Sequence, residues 1–139
     1  MTPVCVIAAG PVGATMALSL MRAGFEVSLI ERTPTPPDDP RAATLQLPTI
    51  AMLHDLGTGP SLIEQSLKAP LFQFRDRASD VVLAEFDYGR LAGKTEFPFA
   101  IQCEQVEVAC TNLAALRAEG SSEILMDTQI LGFDRSPMA

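Results

Sequence analysis

The chain has 139 residues, 47% apolar and 19% charged, and its 10 Lys and Arg against 17 Asp and Glu give a net charge of −7. At this size folding hides roughly two-thirds of the surface of the unfolded chain, so a hydrophobic core forms without disulfides or metals, and a disordered polymer is excluded. A pI near 4.5 and scattered basic residues leave no electrostatic footprint for nucleic acid or anionic lipid, and neither is expected as a partner.

Val4-Cys5-Val6-Ile7 is a short β-branched run that predicts a strand, and Ala8-Ala9-Gly10-Pro11-Val12-Gly13 follows as a turn. Apolar residues at Val12, Met16 and Leu20, and at Ala17 and Met21, then repeat at helical spacing, predicting a helix over 13–23 closed by Gly24. Glu26 to Ile30 returns as a second strand, parallel to the first and beside it. Pro34, Pro36, Pro37 and Pro40 remove backbone donors and predict an exposed loop. Pro48 opens a helix carrying Ile50, Leu53 and Leu56 to Gly57, and Ser61-Leu62-Ile63-Glu64 has the spacing of a capping box for another. Leu71–Asp76 and Val81–Asp87 flank a four-residue turn and read as a hairpin, an antiparallel excursion from the parallel sheet. An extended piece over 97–101 precedes a helix over 104–118, with Val106, Ala109, Cys110, Leu113 and Leu116 inward and Gly120 as its end. Two last strands are expected at 123–126 and 129–133.

Cys5, Cys103 and Cys110 are odd in number and far apart, which reads as reduced thiols that serve as packing residues. His54 is the only histidine and falls in a predicted helix, so neither a zinc centre nor a Ser-His-Asp triad is expected. No run is long enough for export or for a membrane span, and the expected compartment is the cytoplasm.

The turn at Ala8-x-Gly10-x-x-Gly13 is a dinucleotide fingerprint with alanine in place of its first glycine. It follows a strand, opens a helix, and is answered by Glu31 at the end of the second strand. Gly10 lets backbone approach a pyrophosphate, Gly13 lets helix pack on strand, and the free N–H groups of the first helical turn attract the phosphates. Glu31 can accept hydrogen bonds from both hydroxyls of an adenosine ribose. The methyl of Ala8 calls for an ordinary negative φ. The fingerprint serves NAD(P) and FAD alike; a nicotinamide domain continues with another crossover helix and parallel strand, whereas here a Pro-rich loop, two helices and a hairpin follow.

In Val6-Ile7-Ala8-Ala9-Gly10-Pro11-Val12-Gly13, Leu29-Ile30-Glu31-Arg32, Pro40-Arg41-Ala42-Ala43-Thr44-Leu45, and Phe97-Pro98-Phe99 leading to Gln102-Cys103-Glu104-Gln105, the chain resembles the N-terminal part of the FAD-dependent aromatic monooxygenases, the para-hydroxybenzoate and phenol hydroxylase group. The resemblance implies an α/β fold: a Rossmann-like FAD-binding β-α-β unit over about 3–32, a Pro-rich loop over 33–40, helices and a hairpin over about 46–88, and a helix and strands over about 97–134. It implies FAD as cofactor, with Ala9, Gly10, Pro11, Val12 and Gly13 at the pyrophosphate and Glu31 at the ribose. Arg32 would lay its stem along the adenine, Arg41 would approach the phosphate or flavin, Gln102 would touch the flavin end, and Ile130 would lie beside the adenine. A surface or helix-start role is open to Arg32, Arg41 and Gln102 alike.

The implied activity is hydroxylation of a phenolic small molecule with NAD(P)H and O2, and no residue here is assigned as catalytic. The family's later Asp-Gly and Gly-Asp motifs do not occur, so the chain reads as an N-terminal fragment of an incomplete FAD-binding domain, inactive and binding FAD weakly or not at all by itself. Unpaired strand edges would leave room for a homo-oligomer. Two other readings are an NAD(P)-dependent oxidoreductase with the same opening unit and a non-catalytic truncated remnant.

Overall fold

A computed structural model describes residues 3–38, 43–120 and 122–134. The described residues separate into two compact units, one from 1–39 with 106–139, the other from 40–105.

The first unit is a parallel three-stranded sheet, with β1 (Pro3–Ile7) beside β2 (Glu26–Ile30) and β8 (Glu123–Leu125) on the other side of β2. Its register runs from Pro3 opposite Glu26 to Ile7 opposite Ile30, and from Ser28 opposite Glu123 to Ile30 opposite Leu125. As the central strand, β2 buries Val27, Leu29 and Ile30, while Pro3, Cys5 and Ile7 of the edge strand β1 stay exposed. Helix α1 (Pro11–Arg22) starts at Pro11, two residues before the position read from the sequence, because a proline suits a first turn that needs no N–H donor. It buries Ala14, Thr15, Ala17, Leu18 and Met21, the two alanines and the threonine being small enough for close approach to the sheet, and leaves Val12 78% and Met16 50% exposed. Of the apolar residues whose spacing marks the helix, Ala17 and Met21 face inward and Val12 and Met16 do not, since α1 is apolar nearly all round and periodicity alone does not choose its side. At its end Gly24, at φ +89, donates its N–H to Met21 C=O and Phe25 donates to Leu20 C=O, the paired bonds of a Schellman motif.

Helix α4 (Gln105–Glu119) precedes β8 and buries Val108, Ala109, Asn112, Leu113 and Leu116, while Cys110, expected inward, is exposed. Two polar contacts among the described residues join it to α1: Asn112 Nδ2 donates to Thr15 Oγ1 at 2.8 Å, and Arg22 pairs with Glu119 at 2.6 Å. Each helix's two contact residues stand about two turns apart, so α1 and α4 run parallel and in register. The expected strand over 129–133 is absent: Leu131 is 91% and Phe133 90% exposed, and no described strand pairs with this segment.

In the second unit β7 (Ala100–Gln102) is the centre of an antiparallel sheet, between β3 (Thr44–Leu45) and β4 (Leu67–Ala69). These two short strands carry no alternation long enough to be read from sequence. Helix α2 (Leu47–Asp55) buries Ile50 and Leu53, and α3 (Gly59–Gln65) buries Leu62. Thr58 precedes α3 and Pro60 occupies its first turn, so Ser61 lies inside the helix and caps nothing; the capping box is corrected to a proline start. Phe97, Ala100, Ile101 and Cys103 complete this core, and the His54 ring stacks at a tilt on Phe97 with centroids 5.0 Å apart. Strands β5 (Leu71–Arg75) and β6 (Val82–Asp87) form the expected hairpin, with Phe72 opposite Phe86 and a bulge at Phe74/Arg75. Tyr88–Leu91 follows as a 3-10 turn, where Asp87 Oδ1 accepts the N–H of Gly89.

Candidate functional site: the first strand–helix turn

The site is built where β1 stops and α1 starts. Ala8 N–H donates to Ile30 C=O at 2.8 Å, extending the β1–β2 ladder by one residue, and the chain then turns sharply at Ala8, whose φ is +88. The expectation of an ordinary negative φ is therefore corrected: the turn demands the left-handed region that a first glycine would supply, and this chain meets it with an alanine, at a cost of about 1 kcal/mol. Gly10 follows in an extended conformation, at φ −67, and precedes the helix.

The two glycines meet different surroundings. A Cβ on Gly13 would lie 1.8 Å from the carbonyl oxygen of Ala8, so only glycine lets the helix sit this close to the turn. A Cβ on Gly10 would meet nothing within 4 Å, so the space in front of Gly10 is open. Val12 and Gly13 come before the first intrahelical bond, from Ala14 N–H to Gly10 C=O at 2.9 Å. No side chain caps this end and no acidic residue stands in the first turn. Uncapped N–H groups, the positive end of the helix dipole and open space in front of a glycine make a cradle for a phosphate.

Glu31 closes the turn from the side. Its buried carboxylate accepts the N–H of Ala9 at Oε2 (2.7 Å), and the N–H and hydroxyl of Thr33 at Oε1 (3.0 and 2.8 Å). Burial alone pushes the Glu31 carboxyl up, but the donors of Ala9, Thr33 and Arg32 outweigh it and hold the group below its ordinary value of 4.5. Ala9 and Thr33 thus hold the carboxylate in place from both of its oxygens. The backbone around Glu31 is fixed by β8 and the segment after it: Glu31 N–H donates to Leu125 C=O, Thr128 N–H to Glu31 C=O, and Asp127 N–H to Thr33 C=O.

The structure thus joins Ala9, Gly10, Pro11, Val12, Gly13 and Glu31 in one place. Arg32 is exposed directly after Glu31, and Ile130 is 38% exposed two residues beyond Thr128. Gln102 belongs to the other unit, exposed at the end of β7, where its Oε1 accepts the hydroxyl of Thr44 at 3.0 Å. Arg41 lies outside the described residues, as do Pro40 and Ala42 of the same stretch. Thr33 was missed in the sequence, where the signal was a hydroxyl residue two places after a strand-end acid. Of the three cysteines only Cys103 is buried; Cys5 sits on an edge strand and Cys110 on the outer face of α4, which corrects the packing role expected of them. Among the described residues no group of three or more His, Cys, Asp or Glu could hold a metal, and no helix is long and apolar enough to cross a membrane.

Comparison with known proteins gives this geometry a context. The chain is 28% identical over 132 residues to para-nitrophenol 4-monooxygenase of Pseudomonas sp. strain WBC-3, covering 95% of this chain and 32% of the relative. It is 26% identical over 134 residues to 6-hydroxy-3-succinoylpyridine 3-monooxygenase of Pseudomonas putida, covering 96% and 34%. The crystal structure of p-nitrophenol 4-monooxygenase from Pseudomonas putida DLL-E4 superposes with a TM-score of 0.88 at 27% identity, over 98% of this chain and 35% of that one. The chain therefore spans about a third of the length of these relatives. Residues 1–137 match the profile of the family described as FAD binding domain, and the open cradle at Gly10 with the acid beside it fits the ADP end of that cofactor. With the β-α-β turn and the family profile in agreement over nearly the whole sequence, the chain belongs to the FAD binding domain family.

Proposed function

We propose that this chain is the FAD-binding portion of a flavin-dependent monooxygenase that hydroxylates a phenolic small molecule with NAD(P)H and O2. The observation that carries it is the turn itself: an uncapped helix end behind an open Gly10, with a buried, ionised Glu31 clasping the same backbone. The aromatic substrate class is supported by the relatives, whose names specify a nitrophenol and a hydroxypyridine. An NAD(P)-dependent oxidoreductase with the same opening unit would place its third parallel strand soon after Glu31. Here β8 joins β2 only after the whole excursion through the antiparallel strands, which favours the flavoprotein.

FAD, when bound, supplies the redox chemistry that draws electrons from NAD(P)H and activates O2. The residues of this chain bind and orient. The N–H groups of the first α1 turn would receive the pyrophosphate, and Glu31 would take a ribose hydroxyl. Arg32 would lay its stem along the adenine with Ile130 nearby, Arg41 would neutralise phosphate charge or face the flavin, and Gln102 would meet the flavin end. The protein belongs to the cytoplasm in this reading, and its exposed strand edges suit assembly with a second copy.

Native mass spectrometry of the protein from its natural source, followed by an NAD(P)H-oxidation assay with a panel of phenols, tests the proposal. Bound FAD and phenol-stimulated oxidation are expected. A flavin-free protein with no such activity would overturn it and leave a non-catalytic remnant.

A further inference from the structure

Asn112 is out of place on its own helix. The inward face of α4 is otherwise apolar, made of Val108, Ala109, Leu113 and Leu116, yet Asn112 in its middle is 0% exposed. Its Oδ1 is buried with no hydrogen-bond partner among the described residues. A leucine keeps the same branching without stranding a carbonyl oxygen, so the amide costs stability that packing does not return.

What the amide does achieve is directional. Asn112 Nδ2 donates to Thr15 Oγ1 at 2.8 Å, and Thr15 Oγ1 donates to the C=O of Pro11 at 2.6 Å. A hydroxyl has a single proton, so accepting from Asn112 leaves Thr15 free to spend that proton on Pro11. Pro11 is the first residue of α1, directly behind the open cradle at Gly10. The other α1–α4 contact, Arg22 with Glu119, lies at the far end of α1 and is exposed, where water readily replaces it. The buried relay is thus the polar link between α4 and the end of α1 that would face phosphate.

We propose that Asn112 is a positioning residue for the phosphate turn, holding the first turn of α1 in place through Thr15. The ligand half of this inference rests on the FAD reading above; the hold on α1 does not. With Gly13 already against Ala8 C=O, the helix start cannot move closer to the turn, and the relay stops it from fraying outward. Asn112 thereby fixes where the N–H groups of Val12 and Gly13 point.

Amide hydrogen exchange and ADP titration of the 139-residue chain, both followed residue by residue, test this. Asn112→Leu is expected to leave the unfolding midpoint unchanged or raised, to lower protection of the Ala14 and Thr15 amides at least tenfold while Leu18 and Ser19 keep theirs, and to weaken ADP at least tenfold. Should N112L fail to fold, Thr15→Val removes the hydroxyl and is expected to give the same local loss, while Thr15→Ser behaves as the parent. Unchanged protection at Ala14 and Thr15 in the folded variants would overturn the proposal, as would weaker ADP binding that merely follows a lower midpoint. A parent chain that ignores ADP while N112L still frays the first turn would uphold the hold on α1 and overturn its link to phosphate binding by this chain.

Discussion

A methyl group on Gly13 would meet the carbonyl oxygen of Ala8 at 1.8 Å, whereas one on Gly10 would meet only open space. The two substitutions therefore separate fold from ligand. Gly13→Ala is expected to cost about 3 kcal/mol or more, because neither partner is a flexible side chain. Gly10→Ala, at an ordinary φ of −67, is expected to hold stability within about 0.5 kcal/mol while weakening ADP at least tenfold. Thermal melts and ADP titrations of both variants check the pair. Ala8 offers the reverse case: its φ of +88 is strained for any side chain, so Ala8→Gly is expected to stabilise the chain by about 0.5–1 kcal/mol in a chemical denaturation. Glu31 adds a pH dependence. Its carboxyl is lowered in the folded chain, so its stabilisation is fully present above the ordinary value of 4.5 and is lost as pH falls through the folded value. Glu31→Gln is expected to cost about 1–2 kcal/mol at neutral pH and to flatten that acid limb of stability against pH. The placement of Gly10, Gly13 and Glu31 at one turn was legible in the sequence because their spacing states it. The left-handed Ala8 was not, since an alanine carries no mark of the backbone it is forced to adopt.

Elements were legible where a single residue announces a boundary. Gly24 and Gly57 end α1 and α2 as read, and β2 has the bounds its apolar run gives. Faces were harder. Met16 and Val12 follow helical spacing as well as Ala14 and Leu18 do, and only the sheet decides which set is buried. The start of α3 is a second instance: the serine–glutamate spacing of a capping box at Ser61 competes with a proline one residue earlier, and Pro60 wins because it fixes φ before any side-chain bond can form. Since Ser61 is an exposed helix residue, Ser61→Ala is expected to change stability by less than about 0.5 kcal/mol, measured by thermal unfolding; a loss near 1–2 kcal/mol would restore the capping box. The final segment shows the same limit of local pattern. Gln129 to Phe133 is apolar enough to read as a strand, but a strand needs a neighbour, and Leu131 and Phe133 are left exposed.

At the scale of the molecule, the sequence order already separates the chain into its two kinds of sheet. The parallel unit opens with β1-α1-β2, is interrupted by the antiparallel strands and the hairpin, and closes when α4 delivers β8 to the free side of β2. That long interruption distinguishes the chain from a plain nicotinamide-binding unit, and it places Glu31 between two strands contributed from opposite ends of the sequence. The antiparallel excursion was legible from the Pro-rich loop and the hairpin turn, while β3 and β4 were too short to register beside them. In the proposed function the turn between β1 and α1, with Glu31, holds the ADP end of FAD. ADP is the fitting probe because it presents the pyrophosphate and ribose without the flavin. In a titration of the 139-residue chain followed by amide nuclear magnetic resonance, saturable shifts are expected at Gly10, Val12, Gly13, Ala14 and Thr33. Saturable shifts elsewhere, with these amides still, would contradict that placement.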